Sequence, residues 1–161
     1  MKKIINPWTG HPAYNCFGCA PNNPFGLHME FFEDGEDIVS MWRPRRNYQG
    51  WVDTMHGGVL STLIDETCGW VVSRKKQTSG FTTSLSVKYR KAISTHEALL
   101  TIRASIVREM RNLLFIHAEI FNSAGELCTE GDATYFLLSP EKSTEMGFLR
   151  CEVEEMDSQP E

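Results

Sequence analysis

The interpretation of the chain depends most on MHGGVLSTLIDETCGW, residues 55–70. Apolar side chains in and just after it recur at i, i+1, i+4 and i+5, which is the spacing of one stripe along an α-helix. A basic run at 74–76 follows, where the negative end of a helix dipole favours cations. The stretch therefore predicts a single helix over residues 56–75. Its apolar stripe consists of Val59, Leu60, Leu63, Ile64, Thr67, Cys68, Val71 and Val72.

The tip and the middle of this helix carry groups that can do chemistry. Gly57 and Gly58 have no side chains, so a ligand can approach the first backbone N–H groups closely. Together with the positive end of the helix dipole, those groups suit a carbonyl oxygen that gains negative charge during a reaction. Asp65 lies on the flank of the stripe, where a carboxylate is costly to bury without a partner or a function. The helix thus offers an oxyanion site at its tip and a carboxylate two turns further along.

The composition favours one globular domain and excludes several classes of protein. A chain of 161 residues with 41% hydrophobic content is long enough to bury a sizeable core. The net charge of −5 argues against nucleic-acid binding, and no apolar run reaches the roughly 18 residues that cross a bilayer. Residues 1–8 lack the apolar core of a secretion signal. Five cysteines, scattered and odd in number, favour a reduced, cytoplasmic protein.

Strand patterns lie on both sides of the helix. Two runs, 27–32 and 38–42, are joined by an Asp-Gly turn that is typical of a hairpin. Four further runs cover 81–89, 98–107, 113–122 and 127–138, and the last three predict an antiparallel meander. Together these elements predict an α+β fold in which a curved antiparallel sheet of five or six strands wraps one long helix. In the first of the four runs, alternation places Leu85, Val87 and Tyr89 on one face and Thr82, Ser84, Ser86 and Lys88 on the other.

The chain divides into three parts. Residues 1–26 are irregular and punctuated by proline and glycine, and we expect them to wrap the body as an arm or lid. Residues 27–139 form the single folded domain. Residues 140–161 form an acidic tail, in which we expect a short helix over 141–148 and disorder in the last ten residues.

This order of elements, with a helix that opens in His56-Gly57-Gly58, resembles the hotdog fold. The motif that runs from there to Asp65 is similar to the signature of the PaaI-like acyl-CoA thioesterases, and to related mammalian thioesterase-superfamily members that act on fatty acyl-CoA. His-Gly-Gly alone is a weak signal, but the acid nine positions on and the strand that follows make it specific. The resemblance covers residues 14–138, with further agreement at 15–19, 23–27, 48–51, 82–92, 125–127 and 133–135.

The resemblance implies a role for five residues, in a hydrolase that cleaves acyl-CoA to a carboxylic acid and CoA. Asp65 matches the catalytic carboxylate, which acts as general base on water or attacks the thioester directly. Gly57 matches the residue whose backbone N–H polarises the carbonyl, and His56 matches the histidine that caps the helix and positions the thioester. Thr82 matches a hydroxyl residue, contributed across a dimer interface, that orients the water. Gln49 fits a polar residue ahead of the motif, although its loop is one residue longer here.

The resemblance also implies how the substrate and the subunits are arranged. Coenzyme A, as part of the substrate, is expected at a subunit interface with its phosphates on surface cations; no cofactor and no metal are expected. We expect a homodimer that pairs into a dimer of dimers, with no membrane or nucleic-acid partner. One basic cluster is equally consistent with a phosphate-attracting rim and with a solvated face, and it consists of Arg43, Arg45, Arg46, Lys88, Arg90 and Lys91. The candidate CoA-binding residues are Gly58, Lys88, Arg90, Arg108 and Arg111.

The residues suit thioester hydrolysis even apart from the resemblance, and two alternative functions remain. A thioester needs a polarised carbonyl and an aligned water, which a carboxylate, an N–H donor and one hydroxyl can supply. No Gly-x-Ser-x-Gly elbow marks a serine hydrolase. A non-catalytic acyl-ligand-binding protein on the same fold is the first rival, disfavoured by the joint presence of Asp65 and Thr82. A hydratase of the same fold is the second, but Trp51 stands where its aspartate is expected.

Two further features have plain structural interpretations. Glu66 projects to the polar side of the helix, and we expect it to be solvated or interfacial. Cys16 and Cys19 have the spacing of two zinc ligands, but a closed site needs four, and only His11 and His28 are near in sequence. The sequence therefore favours a turn of the arm over a metal site.

Overall fold

The computed structural model describes residues 1–154. This part of the chain contains two α-helices and seven strands, with a short 3₁₀-helix at Arg46–Tyr48 before the first α-helix. They are β1 Lys2–Lys3, β2 Phe32–Asp34, β3 Asp37–Trp42, α1 Gly57–Val71, β4 Gly80–Tyr89, β5 Leu100–Met110, β6 Leu113–Phe121, β7 Leu127–Leu137 and α2 Pro140–Glu145. The strands form one antiparallel sheet in the order β1-β2-β3-β5-β6-β7-β4.

The predicted central helix is confirmed. His56 caps α1, and a π-helical turn, Val72–Lys76, extends it to Gln77, whose φ of 52° ends it. The helix contacts strands β3 to β7, and its stripe packs into their concave face. The buried helix residues are Leu60, Leu63, Ile64, Thr67, Cys68, Trp70 and Val71.

The predicted hotdog arrangement, one long helix wrapped by an antiparallel sheet, is likewise confirmed. Strands β5, β6 and β7 form the expected meander, and β4 pairs with β7 at the edge. The sheet has seven strands instead of five or six because Lys2–Lys3 of the arm adds β1. Gly131 on β7 lets the helix approach closely, since a Cβ there would lie 3.1 Å from Ile64 Cγ2.

A β-bulge in β4 corrects the predicted faces of that strand. Thr82 pairs with Tyr135 and Ser84 pairs with Thr134, so Thr83 is an extra residue between two adjacent pairs. An extra residue shifts the alternation by one, and a shift of one exchanges the two faces. Thr82 therefore shares the helix-facing side with Leu85, instead of the outer side with Ser84.

The arm and the tail close the other edge of the sheet. The predicted strand at 27–32 is strand only at Phe32, because the backbone N–H groups of Leu27 and Met29 donate to the arm loop at residues 17 and 18. Residues 152–154 of the tail are ordered beside β1, where Ile4 bridges Val153; the rest of the predicted disordered end lies outside the described residues. No helix within residues 1–154 is long and apolar enough to cross a membrane.

Candidate active site

Asp65 is held by two hydroxyl groups from the edge of the sheet. Thr82 Oγ1 donates to Asp65 Oδ1 at 2.7 Å, and Tyr135 OH donates to the same oxygen at 2.8 Å and to the Asp65 backbone oxygen at 2.6 Å. The other carboxylate oxygen, Oδ2, accepts no hydrogen bond within residues 1–154. The carboxylate is therefore fixed in orientation while one oxygen stays available to a ligand or a water.

Tyr135 is the residue that the sequence analysis missed, although it stands in one of the stretches that support the resemblance. Ala133 and Tyr135 point towards the helix by the alternation of β7, which places the ring under Asp65. Burial, and then the negative charge of Asp65, raise the pKa of Tyr135 above its usual value. The hydroxyl thus stays protonated and keeps donating to the carboxylate.

Asp65, Thr82 and Tyr135 line a cavity of about 370 Å³ between α1, the start of β4 and the arm. The polar groups of its lining include the Asp65 and Glu66 carboxylates and the hydroxyls of Thr82 and Tyr135. Apolar and aromatic side chains also line it, among them Trp8, Trp70, Val72 and Met146. A cavity that combines polar groups with apolar surface suits a ligand that carries a reactive polar group on an apolar chain.

At the tip of α1, the backbone is arranged as a donor site. His56 Nδ1 accepts from the Gly58 N–H at 2.9 Å, which satisfies one of the free donors of the helix end. Gly58 was predicted to bind the substrate, but its N–H is already engaged by this contact. The Gly57 N–H, the first of the helix, donates to no group within residues 1–154. Tyr89 OH donates to the Gly57 carbonyl at 2.9 Å and holds this turn against the end of β4.

Within one chain, the donor at the tip and the carboxylate are too far apart to act on one carbonyl group. From residue 57 to residue 65, a rise of about 1.5 Å per residue gives about 12 Å along the axis. The sequence analysis expected Thr82 to reach the site from a second subunit. The structure instead joins Thr82 to Asp65 of the same chain and leaves the Gly57 N–H as the distant group.

Gln49 lies in the exposed loop that leads to the helix. Its Oε1 accepts from the Asp53 N–H at 3.2 Å, and Gln49 and Met55 form an isolated β-bridge. The next residue, Gly50, packs against His56, where an added Cβ would lie 3.2 Å from the His56 Cα. The loop thus supports the tip of α1, while the Gln49 side chain braces the loop itself.

The candidate CoA-binding cations differ in their availability. Arg90 makes two hydrogen bonds to the Glu130 carboxylate, at 2.9 and 2.7 Å, so it is engaged within the chain. Arg108 lies in β5 and not at the turn, because β5 continues to Met110, and its guanidinium stacks on Phe115. Lys88 and Arg111 are exposed, and Arg111 occupies the turn between β5 and β6 with a φ of 56°.

Glu66, which was expected to be solvated or interfacial, is partly buried between α1 and the arm. Its carboxylate lies against the arm, 3.5 and 3.6 Å from Cys16 Sγ, and accepts from Trp70 Nε1 at 3.1 Å. Asp65 and Glu66 are adjacent in sequence, and both line the same cavity. One carboxylate contacts the sheet and the other contacts the arm.

Comparisons with known proteins give a matching family model and similar solved structures. Residues 53–129 match the model of the thioesterase superfamily, and a search of curated proteins gives no match. A hypothetical thioesterase of Streptococcus pneumoniae, solved with coenzyme A, is 25% identical with a TM-score of 0.64 over 69% of this chain and 89% of that one.

Two further solved structures share the fold. Zebra fish thioesterase superfamily member 2 is 22% identical, with a TM-score of 0.62 over 69% of this chain and 81% of its own. A Streptococcus mutans protein bound to acetyl-CoA is 18% identical, with a TM-score of 0.63 over 69% and 89%. The chain therefore has the hotdog fold, and nearly half of it, residues 53–129, matches the thioesterase superfamily model.

Proposed function

We propose that this protein is a PaaI-like acyl-CoA thioesterase, which hydrolyses acyl-CoA to a free carboxylic acid and CoA. The observation that carries the proposal is the Asp65 carboxylate, with Oδ1 fixed by Thr82 and Tyr135 and Oδ2 free beside a cavity with apolar walls. The superfamily match and the CoA-bound structural neighbours support the substrate class. No cofactor enters the reaction, because water is the second reactant.

The reaction follows from the groups present. Asp65 Oδ2 takes a proton from a water molecule while the water oxygen attacks the thioester carbonyl. The carbonyl oxygen becomes negative in the tetrahedral intermediate, and the Gly57 N–H at the tip of the helix dipole stabilises it. The intermediate collapses, the C–S bond breaks, and the CoA sulfur takes the proton that Asp65 held. The acyl chain would lie along the apolar walls of the cavity.

We further propose a homodimer, because one chain cannot bring Gly57 and Asp65 to one carbonyl. Strand β4 has a free edge within the described sheet, and its two ends contact the two parts of the proposed site, Asp65 and Gly57. Thr82 near its start bonds Asp65, and Tyr89 at its end bonds Gly57. The proposed dimer pairs two β4 edges antiparallel, in the register that sets residue 82 of one copy beside residue 89 of the other. Asp65 of one copy then faces Gly57 of the second copy across the interface.

The test is CoA release, followed with a thiol reagent, for acetyl-, hexanoyl-, phenylacetyl- and palmitoyl-CoA. We expect hydrolysis of at least one of them, and a fall in kcat of about 10²-fold or more in Asp65→Asn, the scale for loss of a general base. Glu141→Gln, an exposed acid on α2, is the matched control and keeps wild-type rates. Tight CoA binding with no turnover of any substrate would refute the enzyme and favour an acyl-ligand-binding protein.

A further inference from the structure

The segment Cys16-Phe17-Gly18-Cys19 contributes two sulfur atoms that the proposed hydrolysis does not use. Both sulfur atoms and the Glu66 carboxylate lie within 4.8 Å of one another, one residue along α1 from Asp65. The histidines that the sequence analysis considered as further ligands, His11 and His28, are not part of this group within residues 1–154. The structure instead supplies Glu66, fifty positions away in sequence from Cys16.

Gly18 shows that the arm loop is shaped around this carboxylate. A Cβ on Gly18 would lie 2.4 Å from both Cδ and Oε2 of Glu66, closer than real contacts allow. Gly18 does not have a positive φ, so its backbone conformation is open to other residues. The Glu66 carboxylate therefore fills the space beside Gly18, and a side chain at position 18 would displace it.

Neighbouring side chains orient two of the three groups, Glu66 and Cys19. Trp70 Nε1 donates to Glu66 Oε1 at 3.1 Å, and Tyr14 OH donates to Cys19 Sγ at 3.0 Å. Tyr14 OH in turn accepts from the Asn6 side chain at 2.8 Å. Within residues 1–154, no lysine, arginine or histidine forms an ion pair with Glu66. Hydrogen bonds to the far side of each ligand are the usual support of a metal site.

We propose that Cys16, Cys19 and Glu66 form a binding site for a divalent cation of the zinc class. Zn²⁺ binds thiolates at about 2.3 Å and carboxylates at about 2.0 Å, so a tetrahedral angle places S and O about 3.5 Å apart. Cys16 Sγ lies 3.5 Å from one Glu66 oxygen and 3.6 Å from the other. Two sulfur ligands and one oxygen select zinc over magnesium or calcium, which take oxygen.

The fourth position would face the cavity, since all three ligands line it together with Asp65. A water or an anionic ligand would occupy that position. The ion would also fasten the arm to α1, because two of its ligands belong to the arm and one to the helix. Binding to the folded chain alone raises its stability.

The experiment is an anaerobic titration of the full, reduced, metal-stripped chain with Co²⁺, followed by displacement with Zn²⁺. We expect one equivalent of Co²⁺ to give thiolate-to-cobalt charge-transfer absorption and tetrahedral visible bands, and Zn²⁺ to abolish both. Cys16→Ser and Glu66→Gln each remove a ligand. Trp70→Phe removes the indole N–H, and we expect it to weaken Zn²⁺ binding about 10-fold to 100-fold, the range for supporting contacts. Cys128→Ser, a thiol on β7 outside the group, is the matched control.

A second readout does not depend on catalysis. Zn²⁺ should raise the unfolding temperature of the wild-type chain and of Cys128→Ser, but not that of Glu66→Gln. Metal-free unfolding curves show whether each variant is folded. Absence of stoichiometric Co²⁺ binding would overturn the proposal, as would a spectrum that Cys16→Ser and Glu66→Gln leave unchanged. A chain two hydrogen atoms lighter that binds no metal would instead identify a Cys16–Cys19 redox pair and also overturn it.

Discussion

The tip of α1 and its middle turn, only eight residues apart, are built on opposite principles. At the tip, the functional group is the backbone N–H of Gly57, a residue without a side chain. The neighbouring His56 side chain accepts a hydrogen bond from the Gly58 N–H. In the middle turn, the functional group is a side chain, Asp65, and two hydroxyls from the sheet hold it. Each region supplies one part of the proposed active site, and α1 keeps the two parts about 12 Å apart.

Because of this difference, the Gly57 N–H and the Asp65 carboxylate can each be removed without disturbing the other. A side-chain group is removed by an isosteric substitution, whereas a backbone N–H can be removed only by proline. Gly57 is the first helical residue, and proline is well tolerated there because its N–H has no intrahelical acceptor. The preceding residue, His56, has a φ of −65° and a ψ of 129°, which is the conformation that proline favours in its predecessor.

Among the variants that follow, Gly57→Pro should lower kcat the most. Loss of one oxyanion donor should lower kcat about 10²-fold to 10³-fold. Circular dichroism and the unfolding temperature should stay close to those of the wild type, because the helix start is preserved. Thr62→Ala serves as the control, since it changes a side chain in the first two turns of α1 and leaves the Gly57 N–H in place, and it should keep activity within about tenfold. Full activity in Gly57→Pro would remove the Gly57 N–H from the mechanism.

The next prediction concerns the pairing of the two halves across a dimer. Asp65→Asn and Gly57→Pro chains, each nearly inactive alone, should regain activity when mixed and allowed to exchange subunits. A mixed dimer holds one site with both defects and one with neither, so an equal mixture should reach about a quarter of wild-type activity. Size-exclusion chromatography with light scattering checks the dimer. If the mixture stays as inactive as its components, the two groups do not meet between copies.

A smaller effect is expected from the hydroxyls that hold Asp65. Thr82→Val keeps the shape of the side chain but removes a donor to Oδ1, and Tyr135→Phe removes the other. A hydrogen bond to a charged group is worth about 1.5–3 kcal/mol, so each variant should lose about 10-fold to 10²-fold in kcat. Thr83→Val, at the outward bulge residue, is the control. Equal loss in Thr83→Val would mean that strand packing, not the donor, matters.

The helix and the sheet could be predicted because their patterns are periodic, whereas the contacts of the site could not. The apolar stripe from Leu60 to Val71 indicated which side of α1 is buried, and Asp65 followed from its place on the flank. The side on which Thr82 lies depends on one extra residue in a Thr-Thr-Ser run that fits either face. Only its register with β7 decides the matter.

Long-range contacts explain the other differences. Glu66 was expected to be solvated or interfacial because its helix neighbours are polar, but a loop fifty residues earlier covers it. Residues 27–31 have the composition of a strand, yet the arm loop takes their backbone hydrogen bonds. In both cases the arm is the cause, and nothing in an irregular, proline-rich segment states which surface it covers.

Substitutions of His56 should have the smallest effect on the protein. They separate its two proposed roles, which are to cap the helix and to position the thioester. His56→Ala should destabilise the chain by about 1 kcal/mol, the usual cost of a lost cap, and lower the unfolding temperature by a few degrees. Asparagine is a good cap, so His56→Asn should restore the stability. The activity of His56→Asn then tests the positioning role, because a rate near wild type would make His56 a cap alone. A lowered kcat at restored stability would instead show that the ring itself contacts the substrate. Thermal unfolding and CoA release on the same two variants decide between these results, and a wild-type unfolding temperature in His56→Ala would show that the Nδ1 contact at 2.9 Å contributes nothing to the helix.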